Sequence, residues 1–474
     1  MTDSSTPPGL PDRRPLPAGP TTTTLVPADA VRFAAAGARF PDGFVWGAAT
    51  SSFQIEGARA SRAESIWDRF CTQPGAILDA SNGDVACGHV ERIAEDVGLM
   101  STMGLRAYRF SVSWPRVLPD GGRGQPAAAG LDVYDRLVDH LLGAGIEPYV
   151  TLYHWDLPQA LEDRGGWPER ATAYRFAEYA DIVVSHLGDR VKHWATLNEP
   201  YCSSYFGYGS GFMAPGRSDV AAQFAAAHHL LLGHGLAMER IRERAPGAEA
   251  GIVLNFAPMY PASDDPADGA AAAAEHALFN RWFVEPIAGA GYPIDATADR
   301  WSGAELLDGD LDIIATPVDV LGVNYYCRML IGADRQPVAP RLPVTGMGWE
   351  IYPAGLSEIM TWLHEEFGFA RYLVTENGAA MDDQPDEHGF VNDQDRIEYL
   401  RAHLDEVRRL VGAGLPIDGY FAWSLLDNFE WAYGYTKRFG LIRTDYDTLE
   451  RIPKASAGWY GGVAAANAVA EPTT

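Results

Sequence analysis

The stretch YDRLVDHLLGAGIEPYVTLYH, residues 134–154, joins a helical pattern to a strand pattern. Its first half carries apolar side chains three and four residues apart, which indicates a helix with one buried face. That face comprises Tyr134, Leu137, Val138, Leu141 and Leu142. After the glycines, a short run rich in strand-forming residues ends at His154 and predicts a buried strand. A helix followed by a strand is the repeating unit of a parallel sheet covered by helices.

The same alternation recurs from residue 40 onward and predicts eight strands. We expect them at 44–50, 107–114, 147–154, 193–199, 250–256, 318–326, 372–378 and 417–425. Helical patterns lie between them, such as the one formed by Ile397, Leu400, Leu404, Val407, Leu410 and Val411. Eight units over about 430 residues favour an α/β fold, a single (β/α)8 TIM barrel with long βα loops. An open doubly wound sheet is the alternative architecture.

Residues 1–38 differ in composition from the rest of the chain. The stretch TPPGLPDRRPLPAGPTTTT, residues 6–24, is rich in Pro and Thr and has no apolar face, which predicts a disordered leader. Residues 39–474 form one barrel domain in this interpretation, because no linker interrupts the pattern. The leader lacks the apolar stretch of a signal peptide, and no run of about 18 apolar residues is available to span a membrane. We therefore expect a cytoplasmic protein.

Charge and cysteine usage exclude several classes of partner and site. The formal net charge of −26 argues against nucleic acid or an anionic membrane as a partner, since both would be repelled. Cys71, Cys87, Cys202 and Cys327 are widely spaced and form neither a CxxC pair nor a disulfide framework. We expect them to be buried free thiols. HEEFG at His364 is not the HExxH motif of a zinc hydrolase, and we expect neither a metal nor a cofactor.

Several predicted strands end in polar or aromatic residues that a buried core would not select. The carboxyl ends of barrel strands meet at one mouth, where TIM-barrel active sites lie. These strand ends carry Arg109, His154, Trp155, Asn198, Glu199, Asn324, Tyr326, Glu376, Asn377 and Trp423. Carboxylates and amides are therefore predicted to gather around one cleft.

Glu199 in TLNEP and Glu376 in VTENG each follow a buried strand. Either one alone could be a structural carboxylate held by hydrogen bonds. Two carboxylates facing one cleft suit glycosidic hydrolysis, in which one protonates the departing oxygen and the other attacks the anomeric carbon or activates water. The acid needs apolar or like-charged neighbours that raise its pKa, whereas donors such as Arg109, Tyr326 or Asn324 keep a nucleophile ionised. Spacing leaves open which residue has which role.

Eight motifs occur in order along the chain, namely FVWGAATSSFQIEG, YRFSVSWPR, TLYHWDLP, TLNEP, GVNYY, VTENG, GYFAWSLLDNFEWAYGY and RFGL. From residue 40 to about 460 the chain thereby resembles glycoside hydrolase family 1, the β-glucosidase-type enzymes. The resemblance implies that Glu199 is the general acid/base and Glu376 the nucleophile of a retaining mechanism. A retaining mechanism in turn implies carboxyl groups about 5 to 5.5 Å apart.

The resemblance also implies a set of residues that bind the substrate. The members expected to bind hydroxyls or stack on the sugar are Gln54, His154, Asn198, Tyr326, Trp423, Glu430 and Trp431. Trp349, in MGWEIYP, would contact the leaving group, while Arg109, Asn324 and Tyr326 would tune Glu376. Taken singly, the tryptophans could be core aromatics. His154 could be a satisfied buried imidazole, and Gln54 could close a loop hydrogen bond.

The loop after the eighth strand bears on the substrate. Relatives that cut 6-phosphoglycosides hold the phosphate with a serine, a lysine and a tyrosine, where this chain has Glu430, Lys437 and Phe439. A carboxylate at Glu430 would repel a phosphate dianion, so the expected substrate is a small unphosphorylated β-glycoside. We expect a β-glucosidase acting on oligosaccharides or on aryl and alkyl glycosides. A β-galactosidase or β-fucosidase, a transglycosylase, and a non-catalytic sugar-binding barrel are alternatives, and the oligomeric state is open.

Overall fold

The computed structural model describes residues 39–122, 124–297 and 304–469, and its centre is a closed barrel of eight parallel strands. The strands are β1 (Val45–Ala49), β2 (Ala107–Ser111), β3 (Glu147–Tyr153), β4 (His193–Asn198), β5 (Glu249–Phe256), β6 (Val320–Tyr325), β7 (Tyr372–Asn377) and β8 (Ile417–Trp423). They pair in chain order, and β8 closes on β1 in register from Gly419 opposite Val45 to Trp423 opposite Ala49. The predicted TIM barrel is confirmed, and the open sheet is wrong because β1 and β8 are paired.

Strand positions agree closely with the sequence pattern, with one informative difference. The strand expected at 107–114 stops at Ser111, because the short helix Trp114–Val117 begins within the apolar run. Trp114 is fully buried there, so the run does mark core residues. Periodicity alone does not separate a short buried helix from the end of a strand.

Long helices surround the barrel and bury their apolar faces on it. They are His89–Thr102, Ala128–Gly143, Ala171–Leu187, Val220–Arg244, Ala354–Phe367, Gln394–Gly412 and Ala455–Ala466. In Ala128–Gly143 the predicted face is buried except for Leu142, whose side chain is 37% exposed. Leu142 follows Val138 by four residues and lies at the edge of the apolar stripe, where the helix face turns toward solvent.

Shorter elements build the βα loops. The other α-helices are Ser52–Ile55, Ile66–Cys71, Gln159–Glu162, Pro266–His276, Trp282–Ile287, Ile294–Thr297 and Asp310–Ile314. Short 3-10 helices form at Arg59–Ser61 and Trp431–Tyr433, and π-helical segments at Cys202–Gly209 and Ala277–Arg281. Met259–Pro261 pairs with Met329–Ile331, and Ile442–Thr444 pairs with Arg451–Pro453. The predicted long βα loops are therefore largely structured.

The first and last described residues are held together. The Phe40 N–H donates to the Asn467 carbonyl at 2.9 Å, and Trp46 Nε1 donates to Asn467 Oδ1 at 2.8 Å. Residues 1–38, for which we predicted a disordered leader, lie outside the described residues. All four cysteines are free thiols, with Cys87 and Cys202 buried and the other two half-buried. Within the described residues every helix is too short or too polar to cross a bilayer.

The amino ends of the strands carry a network of paired charges. Arg371 bridges Glu249 and Asp418, and His193 Nδ1 lies 3.0 Å from the other oxygen of Glu249. These side chains are between 22% and 39% exposed, so water still reaches the charges. Lys192, just before β4, is also exposed at this end of the barrel.

A buried ion cluster supports the loop that follows β8. Lys454 Nζ contacts Asp427 at 2.7 Å and also pairs with Asp383. Arg438 Nη1 lies 2.8 Å from Asp427, and Arg396 Nη2 lies 2.9 Å from Asp383. Such buried charges are tolerated because each has an opposite partner. The cluster ties the loop after β8 to helices Gln394–Gly412 and Ala455–Ala466.

Candidate active site

A cleft of about 880 Å³, counted out to its open mouth, lies at the carboxyl ends of the strands. Its lining includes His154 after β3, Glu199 after β4, Tyr326 after β6, Glu376 on β7 and Trp423 on β8. Trp349, Glu430 and Trp431 line the same cleft. The structure therefore brings together residues from five strand ends and two long loops, as the strand pattern predicts.

Glu376 is held by two donors at the end of β7. Arg109 Nη1 donates to its Oε1 at 2.6 Å, and the Tyr326 hydroxyl donates to its Oε2 at 2.7 Å. Burial raises the pKa of Glu376, while Arg109, Tyr326 and Asn324 act in the opposite direction. Both carboxylate oxygens thus have donors that stabilise the ionised form.

Glu199 occupies a different environment in a strained turn directly after β4. Its backbone φ is +45°, a left-handed conformation that a non-glycine residue rarely adopts and that is common at functional sites. Asn324 Nδ2 donates to Oε1 at 2.6 Å, and the Cys202 thiol donates to Oε2 at 3.2 Å. Burial and then the charge of Glu376 raise the pKa of Glu199 to about 8. An amide and a thiol hold this carboxyl, so it can retain a proton near neutral pH.

Asn324 serves both carboxyls, whereas we predicted a role at Glu376 alone. Its direct hydrogen bond is to Glu199, and its effect on the pKa of Glu376 is the smallest of the four described. The reason is topological: Asn324 lies beside Glu376 in the pairing of β6 with β7, but its side chain extends toward Asn198 on β4. The amide consequently bridges the two halves of the site.

His154 is neutral and has one free donor. Burial first, and then the charge of Arg109, lower the pKa of His154 well below its ordinary value. Asn198 Nδ2 donates to His154 Nε2 at 3.1 Å, so Nε2 accepts and the ring proton is on Nδ1. Among the described residues Nδ1 has no partner. A hydroxyl of a bound sugar would supply one.

Glu430 faces the two other glutamates from the loop after β8. Burial first, and then the charges of Glu376 and Glu199, raise the pKa of Glu430 to about 8. Gln54 Nε2 lies 3.4 Å from its Oε2 and 2.9 Å from the Phe429 carbonyl. Gln54 is completely buried, so it holds the loop in place from behind the cleft lining.

Aromatic rings form the rest of the predicted shell. The His154 ring is nearly parallel to both Trp423 and Trp431, with centroids 5.9 Å away in each case. The loop residue Trp349 is half-buried, with its ring 5.4 Å from that of Tyr326. Arg109, Asn198, Asn324 and Gln54 lie behind these lining residues and orient them.

The sequence pattern did not identify several residues of the cleft. Cys202 follows Glu199 by three residues at the start of a π-helical segment, so helical proximity could have indicated it. Four further side chains, Phe206, Met213, Phe279 and Met347, together with Trp349 form what we call the apolar wall. They come from segments that follow β4, β5 and β6, where no periodic pattern marks them.

In the part of the chain that the structure describes, no group of three His, Cys, Asp or Glu side chains could hold a metal ion. The arrangement offers one carboxyl held by an amide and a thiol, a second carboxyl paired with an arginine, and further hydrogen-bond donors and acceptors. Such a set can transfer a proton to a leaving oxygen and attack an electrophilic carbon in the same cleft.

Comparison with known proteins gives consistent matches over nearly the whole chain. The sequence model described as Glycosyl hydrolase family 1 matches residues 36–469. Thermostable beta-glucosidase B of Thermobispora bispora is 47% identical over 441 residues, covering 90% of this chain and 91% of that protein. Beta-glucosidase A of Acetivibrio thermocellus is 42% identical, covering 89% and 97%. The solved family 1 b-glucosidase from Thermotoga maritima superposes with a TM-score of 0.89 at 42% identity, covering 92% of this chain and 100% of that one.

Proposed function

This chain belongs to glycosyl hydrolase family 1 and hydrolyses glycosides, and on that premise we propose that it is a retaining β-glucosidase with Glu376 as nucleophile and Glu199 as general acid/base. These roles are assigned because the two carboxyls have different hydrogen-bond partners. Glu376 contacts the cation of Arg109 and the hydroxyl of Tyr326, whereas Glu199 contacts an amide and a thiol. The first environment suits a carboxylate and the second an acid.

The first step forms a covalent intermediate. A Glu376 oxygen attacks the anomeric carbon, and the bond from that carbon to the leaving oxygen breaks as Glu199 gives its proton to that oxygen. Ester formation removes the negative charge of Glu376, which is the second-largest cause of the raised pKa of Glu199. The pKa of Glu199 therefore falls after the first step, which favours its carboxylate form.

The second step releases the sugar. The Glu199 carboxylate takes a proton from water, the water oxygen attacks the anomeric carbon, and Glu376 departs as the carboxylate. Arg109 and Tyr326 stabilise that returning charge through the hydrogen bonds already in place. Two displacements at one carbon return the original configuration.

The lining of the cleft supports small unphosphorylated substrates. Glu430 lies near Glu376 and Glu199, so a phosphate dianion there would meet carboxyl groups instead of cations, and the nearby Lys437 already donates to the Gly346 carbonyl at 2.5 Å. The apolar wall offers van der Waals surface to an aryl or alkyl aglycone as well as to the apolar face of a second sugar. The preference for glucose rests on the similar β-glucosidases, and galactosidase, fucosidase and transglycosylase activities are the alternatives.

The biological setting is a further part of this proposal. Four free thiols suit a reducing compartment, which favours the cytoplasm. Glucosides released from cellulose would be substrates there. We also propose residues 39–474 as the catalytic unit, supported by the bonds that join Phe40 to Asn467.

A panel of 4-nitrophenyl glycosides tests the proposed function. We expect release of nitrophenol from the β-glucoside, a lower kcat/KM for the β-galactoside and β-fucoside, and no release from the α-glucoside or the 6-phospho-β-glucoside. Proton NMR during the first minutes should show the β anomer of glucose. Absence of turnover on every β-glycoside, or an initial α anomer, would contradict the proposal.

A further inference from the structure

A chain of hydrogen bonds connects Arg109 to Glu199 through two asparagines, and the donor and acceptor in each bond are fixed. A guanidinium can only donate, and Arg109 Nη2 lies 2.7 Å from Asn198 Oδ1, so that oxygen accepts. Asn324 Nδ2 donates to the same oxygen at 3.1 Å and to Glu199 Oε1 at 2.6 Å. The Thr375 hydroxyl donates to Asn324 Oδ1 at 2.7 Å, which agrees with this orientation of the amide.

This direction favours one oxygen of Glu199 as the site of protonation. Oε1 faces the N–H of Asn324, a group with hydrogens and no lone pair to accept a proton. A hydrogen on that side of Oε1 would oppose the amide hydrogen, whereas Oε2 faces Cys202 Sγ at 3.2 Å. A thiol can donate to a carboxylate and can also accept from a carboxylic acid. Oε2 therefore has a suitable partner in both protonation states.

We propose that Oε2 of Glu199 carries the proton given to the leaving group, and that Cys202 is the positioning residue that holds this oxygen during both steps of the reaction. The inference rests on the proposed role of Glu199 as acid/base. Asn255 Nδ2 lies 3.7 Å from Cys202 Sγ on the other side, within reach of a weak hydrogen bond to sulfur. With the sulfur accepting from Asn255, its hydrogen points toward Glu199.

Other charged and titratable groups also face Glu199 and remain in place when Cys202 is changed. They are Glu376 on β7, Arg109 on β2, Tyr326 after β6 and Glu430 after β8. The thiol stabilises the carboxylate form, so its removal raises the pKa of Glu199. The basic limb of the pH profile, where the acid loses its proton, then moves to higher pH.

Two variants of Cys202 and one matched control test the pH dependence. For Cys202→Ala we expect the basic limb of kcat/KM on an alkyl β-glucoside to move up by about 0.5 to 1 pH unit. Cys202→Ser keeps a group that donates and accepts, and should restore the limb toward its wild-type position. Cys327→Ala removes another thiol from the lining of the same cleft and should leave the limb unmoved. Superimposable profiles for Cys202→Ala and wild type would overturn the proposal.

Infrared spectroscopy of the resting protein provides a test that needs no turnover. The S–H stretching band of Cys202, assigned by its loss in Cys202→Ser, should move to lower frequency as the carboxylic acid band of Glu199 disappears with rising pH. A band that stays fixed through that transition would overturn the inference, even if Cys202→Ala does not fold. Failure of the wild-type enzyme to hydrolyse any β-glycoside would instead count against the proposed function, because the band is measured independently of activity.

Discussion

At the amino end of the barrel Arg371 lies between Glu249 and Asp418, whereas toward the mouth Arg109 lies between Glu376 and Asn198. The Arg371 side chain is 39% exposed, and that of Arg109 is 3% exposed. At the amino end, water screens the charges, and the arginine is paired with two carboxylates. At the mouth, burial raises the pKa values of Glu199, Glu376 and Glu430, and the charges of neighbouring glutamates add to this effect at Glu199 and Glu430.

The difference separates two uses of the same residue types on one set of strands. Exposed ion pairs such as those of Arg371 contribute little stability and no reactivity. Buried carboxyls without equal countercharge cost stability, yet that environment gives one of them a proton to donate near neutral pH. The following predictions test this contrast, from the largest expected effect to the smallest.

Replacing Glu376 should have the largest effect. In Glu376→Gly the covalent step is lost, and kcat/KM for 4-nitrophenyl β-glucoside should fall by about 10⁴-fold or more. Azide can occupy the vacated space and attack directly, so adding it should restore turnover and give the α-glycosyl azide. NMR of the product distinguishes the outcomes. A β-glycosyl azide from this variant would show that Glu376 is not the nucleophile.

Replacing Glu199 should have an effect that depends on the leaving group. Glu199→Gln cannot donate a proton, so alkyl glucosides should lose about 10²- to 10⁴-fold in kcat/KM. A dinitrophenyl glucoside, whose leaving group needs no proton, should lose much less in the same parameter. Comparison of the two substrates checks the role, and equal losses on both would contradict it. Glu199→Gly with azide should yield the β-glycosyl azide, the opposite of Glu376→Gly.

Replacing Glu430 should show how much stability is lost by burying its carboxyl beside the other two glutamates. The pKa of Glu430 is about 8 in the folded protein and 4.5 in the ordinary reference state, so the folded state binds more protons between these values. Stability therefore falls as pH rises through this window. Glu430→Gln removes the ionisation and should raise unfolding stability by ~1 to 3 kcal/mol above pH 8, with the gain fading toward pH 4.5, while sugar binding weakens.

Thermal melts of Glu430→Gln at pH 5, 7 and 9 measure this effect. The matched control is Glu249→Gln at the amino end, where the carboxylate is paired with Arg371 and His193. That control should lose a small amount of stability at neutral pH. A Glu430→Gln variant that is less stable than wild type at pH 9 would show that the ionised Glu430 does not destabilise the fold.

Replacing Arg371 should have the smallest effect. Arg371→Gln breaks two partly exposed ion pairs, so the free energy of unfolding should fall by less than ~1 kcal/mol, and by still less in 1 M salt. The value of kcat/KM should not change, because the side chain lies at the end of the barrel opposite the cleft. Activity assays beside denaturant melts check both statements, and a tenfold loss of kcat/KM would remove the functional distinction between the two ends.

The sequence was sufficient to predict the barrel and to place polar residues from the strand ends at its mouth. Short strands that alternate with amphipathic helices have few packing solutions, and polar residues that follow buried strands must meet at one end. Glu199, Glu376 and His154 could be placed for that reason. The direction of the hydrogen bond from Asn324 could not, because it depends on how side chains from nonadjacent strands cross the barrel interior.

The apolar wall lies beyond what sequence patterns can predict. Phe206, Met213, Phe279 and Met347 come from loops and π-helical segments that are distant in the chain and share no period. In each local sequence they look like ordinary core residues, and most are in fact nearly buried. Their common location emerges only when the long loops fold over the barrel.

The distribution of lysines has a practical consequence for attaching the protein to a solid support. The chain has three lysines, of which Lys454 is completely buried in its ion cluster and Lys437 is half-buried beside the cleft. Lys192 is exposed at the amino end of β4, on the face opposite the mouth. Among the lysines, an amine-reactive surface would therefore couple chiefly through Lys192, and a molecule attached there has its cleft facing the solution.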